Sequence, residues 1–185
     1  MCKAIPLEIL SIMENKNDRP LVSFIVTTYN LPTTLLCECL QSILSLSLSK
    51  EEREIIVVDD GSEVSPLNDL VELRDKIVYV RQRNKGLSEA RNMGLVCAQG
   101  KFIQFVDGDD YLIQAPYEHC LDIARYKDAD IILFHETEEE QPEVPFECNG
   151  PMTGSAYMHQ YNLRASACGY LFRANILGNL RFTPN

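Results

Sequence analysis

Three carboxylates come directly after an apolar run in the middle of the chain. Residues 102–106 have the composition of a buried strand, and Asp107, Asp109 and Asp110 lie where that strand should end, with Gly108 among them. Carboxylates this close repel one another unless a cation lies between them, and oxygen ligands suit a divalent cation. A glycine also leaves room for a ligand to approach the backbone. This stretch alone fits a metal-binding turn and a solvated acidic turn equally well.

Two more apolar runs, at residues 21–26 and 54–58, end in polar clusters in the same way. The clusters are Thr27, Thr28, Tyr29 and Asn30 after the first run, and Asp59, Asp60, Gly61 and Ser62 after the second. In a parallel sheet such strand ends meet at one edge, where the ligands of open α/β proteins bind. Each cluster alone is typical of a loop, but three that converge predict one binding site.

The residue types in these clusters suit a nucleotide. Tyr29 offers a ring on which a base could stack, and Asp60 could accept a hydrogen bond from a ring imide such as that of uracil. Asp107 could bind ribose hydroxyls, and Asp109 could hold Mg²⁺ or Mn²⁺ between two phosphates. The structural alternatives are a half-buried core tyrosine for Tyr29 and a turn or helix cap for Asp59.

A helix predicted at residues 87–98 contributes one further candidate. Its pattern places Arg91 and Asn92 on the outer face. From there Arg91 could reach a phosphate or one of the carboxylates. The alternative is a surface ion pair of little energetic value.

Composition excludes several classes of protein. The chain has 185 residues and a formal net charge of −10, which disfavours nucleic-acid binding because phosphate contacts need a positive patch. The apolar runs are too short for a membrane span of about 18 residues. Seven cysteines without metal-type spacing predict reduced thiols and a cytoplasmic protein. Phosphate-loop, dinucleotide-fingerprint and serine-hydrolase motifs are absent from the sequence.

The order of the runs predicts the fold class. Strands at 21–26, 54–58, 76–80, 102–106 and 130–134 alternate with helices, including one at 65–74 and one from about 116. This order is typical of a Rossmann-like, three-layer α/β/α domain with a mostly parallel central sheet. We expect residues 1–19 to be an N-terminal extension with a short helix at 5–13, residues 136–147 an acidic excursion, and residues 168–172 a late strand.

Four ordered motifs together resemble those of the family 2 glycosyltransferases with the GT-A fold, of the bacterial type that builds capsule, O-antigen and exopolysaccharide. They are VSFIVTTYN at 22–30, IVVDDGS at 56–62, NKGLSEARNMG at 84–94 and FVDGDD at 105–110. The resemblance is strong over residues 20–134 and weak beyond. It implies a GT-A domain at 20–185, with a nucleotide-sugar half at 20–134 and an incomplete acceptor-side region at 135–185.

The resemblance also implies a reaction and a set of roles. The enzymes are metal-dependent and transfer a sugar, with inversion, from a nucleotide sugar, commonly a UDP-sugar, to a saccharide or lipid-linked saccharide. Asp109, with Asp107, would bind Mg²⁺ or Mn²⁺. The residues implied in nucleotide-sugar binding are Thr27, Tyr29, Asn30, Asp59, Asp60, Arg91, Asp107 and Gly108.

The general base is the missing part of that set. In the family it is an acidic residue, often in a Glu-Asp pair, and residues 181–185 resemble the stretch that precedes the pair. We therefore expect the base beyond Asn185, and an N-terminal fragment that binds the donor without transferring the sugar. Apolar surface exposed in such a fragment would favour a homodimer. The whole protein could lie peripherally at the inner face of the membrane.

Two other functions fit parts of the pattern. A non-catalytic nucleotide-sugar binding module, or an inactive paralogue, would also lack the base. A sugar nucleotidyltransferase has a related architecture but needs a glycine-rich, basic loop after the first strand. Residues 27–34 contain no glycine, lysine or arginine, so this function is disfavoured.

Overall fold

The computed structural model describes residues 19–135, 137, 150–163 and 165–184. The strands are β1 (Val22–Thr28), β2 (Arg53–Asp59), β3 (Val78–Arg81), β4 (Phe102–Asp107), β5 (Ile131–Leu133) and β6 (Tyr170–Arg173). The helices are α1 (Thr33–Leu44), α2 (Leu87–Cys97), α3 (Gln114–Tyr126), α4 (Gly154–Gln160) and α5 (Ala174–Leu177). The expected extension, with its helix at 5–13, lies outside the described residues, as does the acidic stretch at 136–147 apart from Thr137.

The six strands form one sheet in the order β3-β2-β1-β4-β6-β5. Strands β1 to β4 are parallel to one another, whereas β6 is antiparallel to both β4 and β5. The predicted, mostly parallel α/β sheet is therefore confirmed. The predicted late strand lies two residues further along the chain and inserts between β4 and β5, a position that sequence order does not reveal.

Alternate residues of the central strands face two separate apolar layers. Phe24 and Val26 of β1 pack in the layer that holds the buried faces of α1 and α3. Ile25, between them, packs with Ala90 of α2 on the other side. Because strand side chains alternate between the faces of a sheet, the sheet is covered on both sides. A Cβ on Gly94 of α2 would come within 2.2 Å of Ile25 Cγ2, so this glycine allows α2 to lie close against β1.

The predicted helix at 65–74 is wrong. This stretch forms two 3₁₀ segments, Pro66–Asn68 and Val71–Lys76. Only Pro66 and Leu70 are buried between residues 65 and 76, so the stretch lacks the apolar stripe that would hold a continuous helix against the sheet. In the part of the chain that the structure describes, no helix is long and apolar enough to cross a membrane.

Candidate functional site

The ends of β1, β2 and β4 meet at one edge of the sheet, as predicted. Thr27 lies beside Asp107 of β4, and Thr28 lies beside Asp59 of β2. The backbone continues this alignment past the strands, because the Asp60 N–H donates to the Thr28 carbonyl at 2.9 Å. The polar clusters therefore form one continuous surface, which we call the carboxyl edge.

Asp59 is fully buried and bonded within the protein. Its carboxylate accepts hydrogen bonds from the Ser62 N–H at 2.8 Å and from the Tyr79 hydroxyl at 2.7 Å, and Arg81 Nε lies 3.2 Å away. Burial alone would raise the pKa of Asp59, but the bonds from Tyr79 and Ser62 and the charge of Arg81 outweigh it and lower that pKa. After the larger effect of burial, the hydrogen bond to Asp59 and the charge of Asp59 help to raise the pKa of Tyr79 to about 12, against the opposing effects of Ser65 and Arg81. Asp59 thus holds the turn after β2 against β3. This role agrees with the turn-cap alternative given for Asp59 in the sequence analysis.

Asp60 is also buried, and its carboxylate fastens the loop that precedes α2. Oδ1 accepts from Gln82 Nε2 at 2.7 Å and from the Lys85 N–H at 3.0 Å, while Oδ2 accepts from the Gly86 N–H at 2.8 Å. A carboxylate has about four acceptor positions, so Oδ2 retains room for one more donor. These loop contacts could not be predicted from the sequence, because every residue type except proline carries a main-chain N–H donor.

Gly61 allows this loop to lie directly on the end of β2. Its φ angle is +82°, and a Cβ there would stand 2.6 Å from the Asn84 backbone nitrogen. Both the left-handed backbone and the close approach require glycine. The loop borders a largely open surface groove of about 470 Å³, lined by Gly61, Arg81, Gln82, Arg83 and Asn84.

The turn after β1 contains Tyr29 and Asn30, whose side chains have different surroundings. The Tyr29 side chain is exposed, so the alternative of a core tyrosine is wrong. Asn30 has a φ angle of +50°; its N–H donates to Ser62 Oγ at 2.9 Å and its Oδ1 accepts from the Glu63 N–H at 2.8 Å. Because its carbonyl oxygen is engaged with the turn after β2, Asn30 links two turns rather than presenting a free amide.

The predicted outward position of Arg91 and Asn92 is wrong. The Arg91 side chain is only 13% exposed, and its Nη2 donates to Asp107 Oδ1 at 2.8 Å and to Cys168 Sγ at 3.6 Å. Asn92 bonds to the backbone of Phe182. Residues near 182 fold back over this face of α2, a contact over 90 positions that helical periodicity cannot indicate.

The turn after β4 leaves its second aspartate free. The Asp107 carboxylate accepts from Arg91 and, at 3.3 Å, from Thr27 Oγ1. Asp109 is exposed, and its carboxylate has no hydrogen bond or ion pair with any residue that the structure describes. A Cβ on Gly108 would lie 2.9 Å from the Thr27 carbonyl oxygen, so glycine is needed there to pack the turn against β1. That contact differs from the ligand approach expected for Gly108.

The carboxylates of this turn affect the pKa of a buried thiol beneath it. Cys39 of α1 lies 3.8 Å from the Asp107 carbonyl oxygen. Burial, and then the charges of Asp110, Asp109 and Asp107, raise the pKa of Cys39 to about 12. The charges of the turn add to the effect of burial, so Cys39 remains a protonated core thiol.

Comparison with known proteins identifies the domain. The family described as Glycosyl transferase family 2 matches residues 23–160, more than half of the chain. The chain belongs to glycosyltransferase family 2. Its mostly parallel six-stranded sheet with helices on both faces is the GT-A fold, as the resemblance implied, and it matches solved neighbours such as S. aureus TarS.

Relatives of this family 2 chain include bacterial polymer-synthesis proteins. The uncharacterized glycosyltransferase EpsJ of Bacillus subtilis is 36% identical over 134 residues, which are 68% of this chain and 38% of the relative. The minor teichoic acid biosynthesis protein GgaB of the same organism is 27% identical over 88% of this chain and 19% of its own length. The crystal structure of S. aureus TarS 1–349 in complex with UDP-GlcNAc has a TM-score of 0.67 and 26% identity, and covers 84% of this chain and 46% of that one. The chain thus spans less than half the length of each of these relatives.

The Asp109 carboxylate and the remaining oxygen of Asp107 fit a shared cation better than a closed protein site. Among the described residues, no three His, Cys, Asp or Glu side chains are grouped to hold a metal ion. Magnesium is commonly held by only one or two carboxylates together with substrate phosphates. Asp109 and the remaining oxygen of Asp107 would supply such a pair, so the residues fit Mg²⁺ or Mn²⁺ bound jointly with a diphosphate.

Proposed function

We propose that this domain binds a UDP-sugar at the carboxyl edge and takes part in sugar transfer to an acceptor hydroxyl, with inversion, in bacterial polysaccharide biosynthesis. The observation that carries the proposal is the exposed, unpaired carboxylate of Asp109 beside Asp107 at the end of β4. Family membership and the likeness to TarS, which was solved with UDP-GlcNAc, support it.

The proposed roles rest on exposure and hydrogen bonding. Tyr29 stacks on the uracil. Asp60 Oδ2 accepts a hydrogen bond from the imide N–H of the base, while the other hydrogen bonds of Asp60 hold the surrounding loop. Thr27 and Arg91 orient Asp107 through its Oδ1, which leaves Oδ2 for the ribose or for the cation. A bound Mg²⁺ or Mn²⁺ would neutralise charge on the diphosphate, which is the leaving group.

The proposed reaction breaks the bond between the anomeric carbon and the diphosphate oxygen. An acceptor hydroxyl, such as that of a saccharide or lipid-linked saccharide, attacks the anomeric carbon from the opposite face, which inverts its configuration. The hydroxyl proton passes to a general base, and UDP leaves with the electron pair of the broken bond. Asp107 and Asp109 act on the donor side of this reaction.

Calorimetric titration of UDP with and without Mn²⁺ tests the donor site directly. We expect manganese-dependent binding by the wild-type chain and binding at least about ten-fold weaker in Asp109→Ala, since a charged contact contributes more than about 1.4 kcal/mol. Asp75→Ala is the matched control, because Asp75 is an exposed aspartate in the 3₁₀ segment Val71–Lys76, outside the polar clusters of the carboxyl edge. Equal affinity in wild type and Asp109→Ala would refute the role of Asp109.

Nucleotide choice and turnover complete the test. UDP should bind more tightly than ADP or GDP under the same conditions, because Asp60 is placed to accept a hydrogen bond from the imide N–H of uracil. Release of UDP from a UDP-sugar would show turnover by this chain and exclude a non-catalytic module, whereas binding without release fits both a module and a domain that lacks its general base. Equal affinity for all three nucleotides would remove the proposed contact with uracil.

A further inference from the structure

A pair of hydrogen bonds fastens the residues at 180–184, here called the strap, to helix α2. Asn92 Nδ2 donates to the Phe182 carbonyl oxygen at 2.9 Å, and the Phe182 N–H donates to Asn92 Oδ1 at 2.8 Å. The side-chain amide thus pairs with a main-chain amide as a neighbouring strand would. Both groups of the Phe182 backbone are satisfied by this single side chain, so Asn92 determines where the ring of Phe182 lies.

The ring of Phe182 covers the guanidinium of Arg91. Arg91 Cζ lies 5.5 Å from the ring centroid, and the ring also meets Phe105 of the core edge-on, with centroids 5.2 Å apart. Arg91 Nε is buried and has no hydrogen-bond partner, the only such side-chain nitrogen or oxygen found among the described residues. Phe182 therefore helps to exclude water from Arg91.

The shielded guanidinium is the group that holds Asp107. Its Nη2 bonds to Asp107 Oδ1 at 2.8 Å, with the arginine side chain 13% exposed and the aspartate side chain 36% exposed. An ion pair shielded on one side is screened less by solvent than an open surface pair. A cation held over an aromatic face gains a further attraction. The strap thus contributes to fixing the orientation of a carboxylate at the carboxyl edge.

We propose that Asn92 is a positioning residue of the donor site, which holds Phe182 over Arg91 so that Arg91 fixes Asp107. Its effect on donor binding rests on the function proposed above, whereas its effect on Arg91 does not. The consequence is that the strap and the donor are thermodynamically coupled. A donor that needs an ordered Asp107 favours the docked strap, and a docked strap favours the donor to the same extent.

The first test needs no ligand. Exchange of the Arg91 Nε–H with water, followed by NMR, reports how well the guanidinium is covered. Loss of the two hydrogen bonds that hold the strap should speed this exchange about ten-fold or more in Asn92→Ala. Trypsin cleavage after Arg181 reports docking of the strap itself and should accelerate as well. Asn179→Ala is the matched control, because Asn179 is exposed and its side chain makes no hydrogen bond with a described residue.

Two further variants grade the effect. Asn92→Asp keeps an acceptor for the Phe182 N–H but loses the donor to its carbonyl, so its exchange rate should fall between those of wild type and Asn92→Ala. Phe182→Leu keeps both backbone bonds and removes the aromatic ring. It should speed Arg91 exchange while trypsin cleavage stays close to the wild-type rate. These variants keep the test valid if Asn92→Ala fails to fold.

The second test uses UDP and Mn²⁺ as the probe. We expect the Kd of UDP to rise about five- to ten-fold in Asn92→Ala, and UDP with Mn²⁺ to slow trypsin cleavage of the wild-type strap. Faster cleavage in Asn92→Ala with unchanged Arg91 exchange would show that Asn92 only tethers the strap, and would overturn the proposal. Absence of UDP binding by the wild-type chain would refute the proposed donor instead. The Arg91 exchange then decides the positioning role by itself.

Discussion

Two pairs of aspartates at the carboxyl edge differ in their surroundings. Asp59 and Asp60, after β2, are both buried, and together they accept five hydrogen bonds from protein donors. Asp107 and Asp109, after β4, are partly or fully exposed, and Asp109 has no partner among the described residues. The same residue type at the end of a strand therefore mainly stabilises loops after β2, where Asp60 Oδ2 keeps one open acceptor position, and is more available to a ligand after β4.

The difference arises from the course of the chain after each strand. The chain after β2 makes a turn in which the Ser62 N–H points back at the Asp59 carboxylate, and the loop before α2 directs the N–H groups of Lys85 and Gly86 at Asp60. The chain after β4 turns at once, with the Asp110 N–H bonded to the Asp107 carbonyl, and offers its carboxylates few main-chain donors. An aspartate at a strand end thus keeps more acceptor positions for a ligand where fewer main-chain N–H groups point at its carboxylate.

The largest effect on stability should come from Asp59→Ala. The substitution leaves the Tyr79 hydroxyl and the Ser62 N–H without their acceptor and removes the partner of Arg81. A buried donor without a partner costs about 1–3 kcal/mol, so we expect the free energy of unfolding to fall by about 3 kcal/mol. Urea unfolding followed by circular dichroism measures it, with Asp75→Ala as the control. A loss below about 1 kcal/mol would mean that water replaces the carboxylate, and the contrast between the two pairs would weaken.

A smaller effect should appear in acid. Because the folded state lowers the pKa of Asp59, its charge stabilises the fold above the ordinary aspartate pKa of about 3.9. That contribution is lost as the pH falls through the lower pKa of the folded protein. Unfolding measured between about pH 2 and pH 6 should therefore show a steeper loss of stability in wild type than in Asp59→Asn, which cannot titrate there. Parallel curves would show that Asp59 has no such linkage.

Strand alternation explains why the sheet was predictable and several connections were not. The apolar runs of β1, β2 and β4 are bounded by polar clusters, and both features are local. The stretch at 65–76 has helical composition, but its final form depends on how little of it the sheet can bury. Likewise, no local pattern in the sequence indicates that β6 inserts between β4 and β5.

The site was predictable as a location more than as a set of contacts. Asp109 and Tyr29 are exposed at the carboxyl edge, as residue type and strand position indicated. The guanidinium of Arg91 is covered by the ring of Phe182, which lies 91 positions later in the chain. Contacts of this range depend on the packed fold, so helical periodicity placed Arg91 on the wrong side.

The smallest effect on stability should come from Asp109→Ala, the counterpart of Asp59→Ala. Removal of an exposed carboxylate without a partner should change the free energy of unfolding by no more than about 0.5 kcal/mol. The sign should favour the variant if it changes at all, because Asp107 and Asp110 would lose a neighbour of like charge. Urea unfolding without divalent cations measures this change. A loss above about 1 kcal/mol would make Asp109 a structural residue like Asp59, and weaker UDP binding in this variant could then no longer be attributed to a lost ligand contact.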